Sequence, residues 1–308
     1  VNWPLPSLRR ACAALGLSIL FLLAPRCALA CSMCRCSDPV FSALGQGLYT
    51  NSGFKVAVDW NRQDQSEGAG EDFEAQVRNS VTATLSYSWQ ERLTFVAQVP
   101  YVFVHQDSAD GTNVLNGLGD PAFYVYGRLW SSNFDQGLGR RAWLSAMFAV
   151  KTPWGQNDAM ADGERVDEHA QPGTGATNLT GGLSFLYLFD AASSIYTSVA
   201  YTGTGRNKVG YKYGDNVQVN AVYDRKLTEA LDGLLEMNFL DAKRDQVDDS
   251  GLIDPNTGGR TLYVTPRVAV HVTQGLVLRA AAQFPVWKNL NGIQTVKPSY
   301  TAGLTYVF

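Results

Sequence analysis

After its first 30 residues the 308-residue chain has no long apolar run. A membrane-spanning helix needs about 20 consecutive apolar residues, so helical crossings are excluded from that part of the chain. There is also no proline- or glycine-dominated stretch, despite 29 glycines and 12 prolines, so nothing marks a linker and one domain is expected. Charge is scarce: 17% of residues are Asp, Glu, Lys or Arg, against roughly 25% in soluble domains. That deficit fits a surface whose middle band meets lipid. No basic patch stands out, which argues against a nucleic-acid partner. Histidine is limited to His105, His169 and His271, and none sits in a serine-nucleophile motif, so no enzyme is expected.

What is present begins with a leader. Arg9 and Arg10 precede an apolar run from Ala11 to Ala24, followed by Pro25 and the small-residue triplet Ala28-Leu29-Ala30, the three-part pattern of a cleaved export signal over residues 1–30. The run of about 14 apolar residues is too short for a membrane anchor. Cleavage after Ala30 removes Arg9, Arg10 and Arg26, leaving 22 basic and 28 acidic residues and a formal charge of −6. Three cysteines follow at once, Cys31, Cys34 and Cys36, with Met33 between them. In an oxidising periplasm they read first as a disulfide plus one odd thiol. Soft-metal binding and lipidation of Cys31 are the alternatives. Arg35 stands where haem attachment would need histidine, and no cofactor is expected. Ser37-Asp38-Pro39 can start, and Gly45 end, a short helix, so residues 31–52 form a candidate periplasmic segment.

From residue 53 the chain falls into segments of alternating polarity. Between Asn79 and Gln90, Val81, Ala83, Leu85, Tyr87 and Trp89 share one strand face and hydroxyl and amide side chains fill the other. Twelve strands are predicted, near 53–61, 79–89, 93–104, 118–130, 141–153, 174–189, 194–203, 216–227, 232–240, 261–272, 276–287 and 299–308. Connections alternate between long (62–78, 105–117, 154–173, 204–215, 241–260, 288–298) and short. This is the layout of an all-β, antiparallel up-and-down transmembrane barrel over residues 53–308, with short periplasmic turns and long outer loops. All six tryptophans after the leader lie at predicted strand ends, as expected at a membrane boundary.

The last strand ends on Phe308, with Thr301, Gly303 and Tyr306 before it. It resembles the C-terminal signal that barrel-assembly machinery reads in bacterial outer-membrane proteins, which implies that machinery as a partner. Further motifs are Leu93 to Val104, Gly117-Leu118-Gly119-Asp120 and Lys151-Thr152-Pro153-Trp154-Gly155. Together they resemble the transporter family named after the meta pathway of phenol degradation, although Trp154 stands where that family usually has a small hydroxyl residue. The resemblance implies an outer-membrane barrel that handles a small solute.

Strand parity places Lys55, Arg128, Arg141, Lys151, Arg267 and Arg279, with Asp59, Asp120, Asp224 and Glu236, on polar faces as candidate pore-lining residues. Six cations against four anions predict a mildly positive lumen, since lining charge sets ion preference. The same charges could instead pair and brace the wall. The acidic groups Glu71, Asp72 and Glu74, and Asp245, Asp248 and Asp249, lack EF-hand order and read as solvated loop faces. The expected function is an outer-membrane channel for a small solute or ion, anionic or aromatic. The alternative is a barrel partner of a periplasmic redox or metal-handling system, for which the thiols would speak.

Overall fold

The computed structural model describes residues 53–68, 74–90, 92–108, 111–133, 141–161, 163–248 and 250–308. The leader, the cysteines and the helix expected after them lie outside these residues. Alternation governs the rest. The strands are β1 (Gly53–Glu67), β2 (Glu74–Trp89), β3 (Leu93–Ser108), β4 (Gly111–Leu118), β5 (Ala122–Asn133), β6 (Arg141–Lys151), β7 (Met160–Ala161) and β8 (Glu164–Arg165). They continue as β9 (Asn178–Leu188), β10 (Ser193–Thr204), β11 (Asn216–Lys226), β12 (Leu231–Ala242), β13 (Gly259–His271), β14 (Leu276–Leu290), β15 (Gln294–Val296) and β16 (Ser299–Val307).

Every wall pairing is antiparallel, and β1 pairs with both β2 and β16, so the sheet closes on itself. Two staves are each made of two pieces. The first half of β3 pairs with β5 and its second half with β4, while β15 and β16 pair in succession along β1. The result is a closed barrel of twelve staves, in agreement with the predicted fold. Closure removes the open edges that lipid could not satisfy.

The barrel is polar inside and apolar outside. On β2, Val81, Leu85, Tyr87 and Trp89 are exposed while the alternating Ser80, Thr84, Ser86 and Ser88 are buried. On β1, Phe54, Val56, Val58 and Trp60 face out, and Lys55, Ala57 and Asp59 face in. The outward set is left for lipid, and the inward set lines the lumen, where Ser88 shares a hydrogen bond with Thr94 and Gln98 donates to Thr84.

Several boundaries differ from the sequence-based expectation. The segments 62–78 and 105–117 are mostly strand, because β1 to β4 run on past the apolar stretch. Beyond the lipid both faces are wet, so alternation fades while backbone pairing persists. Trp143 also departs from the membrane-belt expectation. It packs inward against a buried cluster of Val96, Tyr124, Tyr126, Met147, Leu186, Tyr196 and Val222.

Candidate channel lumen and its outer plug

The inner wall has two unlike sides. The cluster around Tyr124, Tyr126, Leu186 and Tyr196 comes chiefly from β5, β6, β9 and β10. Across the ring stand β13, β14, β16 and β1, whose inward side chains include Lys55, Asp59, Gln63, Thr261, Thr265, Arg267 and Arg279, with small apolar residues such as Ala57 and Ala269 between them. There Arg279 donates to Asp59 at 2.9 Å, and Arg267 to Glu236 of β12 at 2.8 Å. Asn238 donates to Glu236 and to Asn220, continuing the polar ladder. Gly303 has a specific reason to be glycine here, since a Cβ would run into the Asp59 carboxylate.

The outer mouth is crossed by the connection between β6 and β9. Its two roots are tied by one carboxylate. Asp120, in the break between β4 and β5, accepts from Lys151 Nζ at 2.9 Å, Gly155 N at 3.0 Å, Thr174 N at 2.8 Å and Thr174 Oγ1 at 2.6 Å. Backbones meet closely around it: a Cβ on Gly155 would lie 2.6 Å from the carbonyl carbon of Gly119, and one on Gly173 would lie 2.8 Å from the Gly155 Cα. The two motifs noted in the sequence, Gly-Leu-Gly-Asp at 117–120 and Lys-Thr-Pro-Trp-Gly at 151–155, are therefore halves of one knot.

Beyond the knot the connection folds inward. Val166 and Ala170 pack against the inward-facing Val102 and Val104 of β3. Arg78 of β2 donates to the backbone carbonyls of His169 (3.2 Å), Gln171 (2.8 Å) and Pro172 (2.9 Å), and Gln76 also donates to His169 O at 2.9 Å. On its other side the segment meets two more outer loops. His169 Nδ1 lies 3.1 Å from Asp167 and Nε2 lies 3.2 Å from Asp245, while Tyr211 donates to the same Asp245 oxygen at 2.9 Å. Glu168 accepts from Arg165 and Asn207, and its backbone carbonyl accepts from the Tyr213 hydroxyl.

The local electrostatics follow from these contacts. Burial alone would raise the Asp167 carboxyl, but hydrogen bonds from His169 and its charge outweigh that and bring it down to about 2. Burial, followed by the Asp245 charge, pushes the Tyr211 hydroxyl well above its usual range, so it remains a donor. Burial likewise raises Tyr213. Asp245, expected from the sequence to be a solvated loop residue, is instead buried, and it also holds Gly214 N at 2.6 Å.

The sequence-predicted charges thus separate into groups. Lys151 with Asp120, Arg267 with Glu236 and Arg279 with Asp59 form ion pairs. Lys55 is buried on the inner face of β1 and Asp224 is partly buried on β11. Arg128 lies 5.2 Å over the Trp143 ring, and Arg141 is exposed at the short-turn end of β6. His105 and His271 lie apart from the plug, next to Asp107 and Asp232. No group of three or more potential metal ligands is found among the described residues. Arg78 and Tyr211 escaped sequence reasoning. Arg78 could have been found by carrying the β2 alternation two residues upstream of Ser80, whereas Tyr211 lies in a loop with no period to follow.

A closed antiparallel barrel with a lipid-facing apolar exterior, a polar interior and long loops gathered at one mouth is a transmembrane protein of the bacterial outer membrane. The chain belongs to the family described as "Putative MetA-pathway of phenol degradation", whose pattern matches residues 49–289. Its fold is similar to that of the COG4313 outer membrane channel from Pseudomonas putida F1, with TM-score 0.66 at 13% identity over 86% of this chain and 98% of the other. The translocator domain of autotransporter NalP from Neisseria meningitidis is similar at TM-score 0.50 and 12% identity, over 90% of this chain and 96% of that one. No curated protein matches by sequence.

Proposed function

We propose that the protein is a channel for small solutes, with a preference for small organic anions that carry an apolar or aromatic group. The observation that supports this is the two-sided lumen, in which a tyrosine-rich apolar wall stands across from a wall bearing Lys55, Arg267 and Arg279. A solute such as an aromatic carboxylate presents both characters. Its ring loses water against the tyrosines while its carboxylate stays close to cations and hydroxyls. Of the six predicted cations, Lys55, Arg128, Lys151, Arg267 and Arg279 keep an inward place and Arg141 does not; against Asp59, Asp120, Asp224 and Glu236 they leave a small positive excess, which supports the anionic bias. Three ion pairs shorten the reach of that field, so the bias is mild.

The reversal potential of single channels in a potassium chloride gradient tests the sign. An anion-selective value, with current blocked by added benzoate more than by acetate, is the expected result. A cation-selective channel, or no conductance from a correctly folded barrel, overturns the reading. The alternative of a redox or metal-handling partner rests on Cys31, Cys34 and Cys36, which lie outside the described residues.

A further inference from the structure

Three features of Arg78 set it apart from the rest of the plug's fastenings. It projects from a continuously paired strand, in register with Gln63 of β1 and Val104 of β3, so its base cannot shift without opening the wall. All three of its bonds go to backbone carbonyls, of His169, Gln171 and Pro172. A planar guanidinium spreads five donors over a rigid fork and so reaches acceptors several residues apart, whereas a lysine offers three donors from a single nitrogen. The Asp120 knot fixes only the roots of the connection, at Gly155 and Thr174. Between these roots the chain could lie over the rim or across the lumen. Arg78 reaches it from the inner face of the wall and holds it across.

We propose that Arg78 sets the cross-section of the pore, by holding the segment around residues 165–172 across the outer mouth, and that this segment is a strap released when Arg78 is lost. The proposal builds on the channel reading above. Besides Arg78, the wall holds the strap by one hydrogen bond, from Gln76 to the His169 carbonyl, and by the packing of Val166 and Ala170 on Val102 and Val104. The other attachments run to loops, through His169 to Asp245 and through Glu168 to Asn207, so losing the three Arg78 bonds leaves the strap weakly held to β2 and able to move with those loops.

Two readouts separate this role from simple support of the fold. The first is single-channel conductance of wild type, Arg78→Gln and Arg78→Lys in planar bilayers. The second is tryptic cleavage after Arg165, the only Lys or Arg between Lys151 and Arg206. Heat-modifiable migration on gels confirms that each barrel is assembled. Expected is a several-fold rise in conductance for Arg78→Gln together with faster cutting after Arg165, and an intermediate result for Arg78→Lys. An assembled Arg78→Gln barrel with wild-type conductance and wild-type cleavage overturns the proposal. If cleavage accelerates but neither wild type nor variant conducts, the strap stands and the channel reading falls. Should Arg78→Gln not assemble, replacing residues 160–170 by a short Gly-Ser linker leaves the wall untouched. Raised conductance in that variant supports the strap, and unchanged conductance overturns it.

Discussion

The barrel wall and the plug at its mouth are stabilised in opposite ways. In the wall, each stave is paired along its length and its side chains alternate between lipid and lumen, so one rule with period two determines nearly every position. In the plug there is little regular structure beyond the two-residue strands β7 and β8. Its position comes from side chains far apart in sequence, such as Arg78 with Pro172 and His169 with Asp245. Disturbing the wall therefore spreads along a ladder, whereas disturbing the plug concentrates on a few polar atoms.

The largest effect should come from Asp120, where both regions meet. Asp120→Ala leaves the half-buried Lys151 without its carboxylate and frees both roots of the connection; a fully buried pair broken in this way costs about 3–5 kcal/mol, which sets the upper end here. Hydrogen exchange should show lost protection at Gly155 and Thr174, with the β9–β10 ladder protected as before. Uniform loss along the wall would erase the distinction drawn between the two regions. A wall substitution should have a smaller and more diffuse effect. Leu85→Arg places a charge on the lipid face, at a cost of about 2–4 kcal/mol near the bilayer midplane, read as a lower denaturant midpoint for unfolding from lipid. An unchanged midpoint would mean that this face of β2 does not meet hydrocarbon.

The smallest effect concerns pH. The Asp167 carboxyl is depressed from 3.8 to about 2, so its contribution to the plug is complete above its ordinary value and is lost as pH falls from about 4 towards 2. Its side chain is 44% exposed, so solvent screens much of this contribution. Conductance measured from pH 6 down to pH 3 should rise slightly more steeply in wild type than in Asp167→Asn, which has already lost the charge. Parallel curves would remove Asp167 from the set of residues that hold the strap.

The same contrast explains what the sequence made legible. The strand count, the closed antiparallel fold and the inside-out polarity follow from alternation, which Val81 to Trp89 display without help from the rest of the chain. Asp120 and Lys151 were visible as motif residues, but their partnership with Thr174 was not, because no period links residue 120 to residue 174. Asp245 read as a solvated acid because its burial depends on His169 and Tyr211, which come from two other loops. Trp143 was misplaced for a related reason. The belt rule says that a tryptophan sits at a strand end, and says nothing of which face it occupies.

The Asp120 knot is also local in sequence, whereas the tip of the plug is not. Its components, β4, β5, β6 and the start of β9, are neighbours in sequence, so they can close on one another once these staves are in place. The contacts of His169 with Asp245 wait for a loop that follows β12, and closure of the wall waits for β16 to meet β1. A set of staves that reached only from β3 to β10 would thus hold a connection tied at both roots, with its tip unclaimed. Completing the mouth takes the loop after β12 as well, through Asp245.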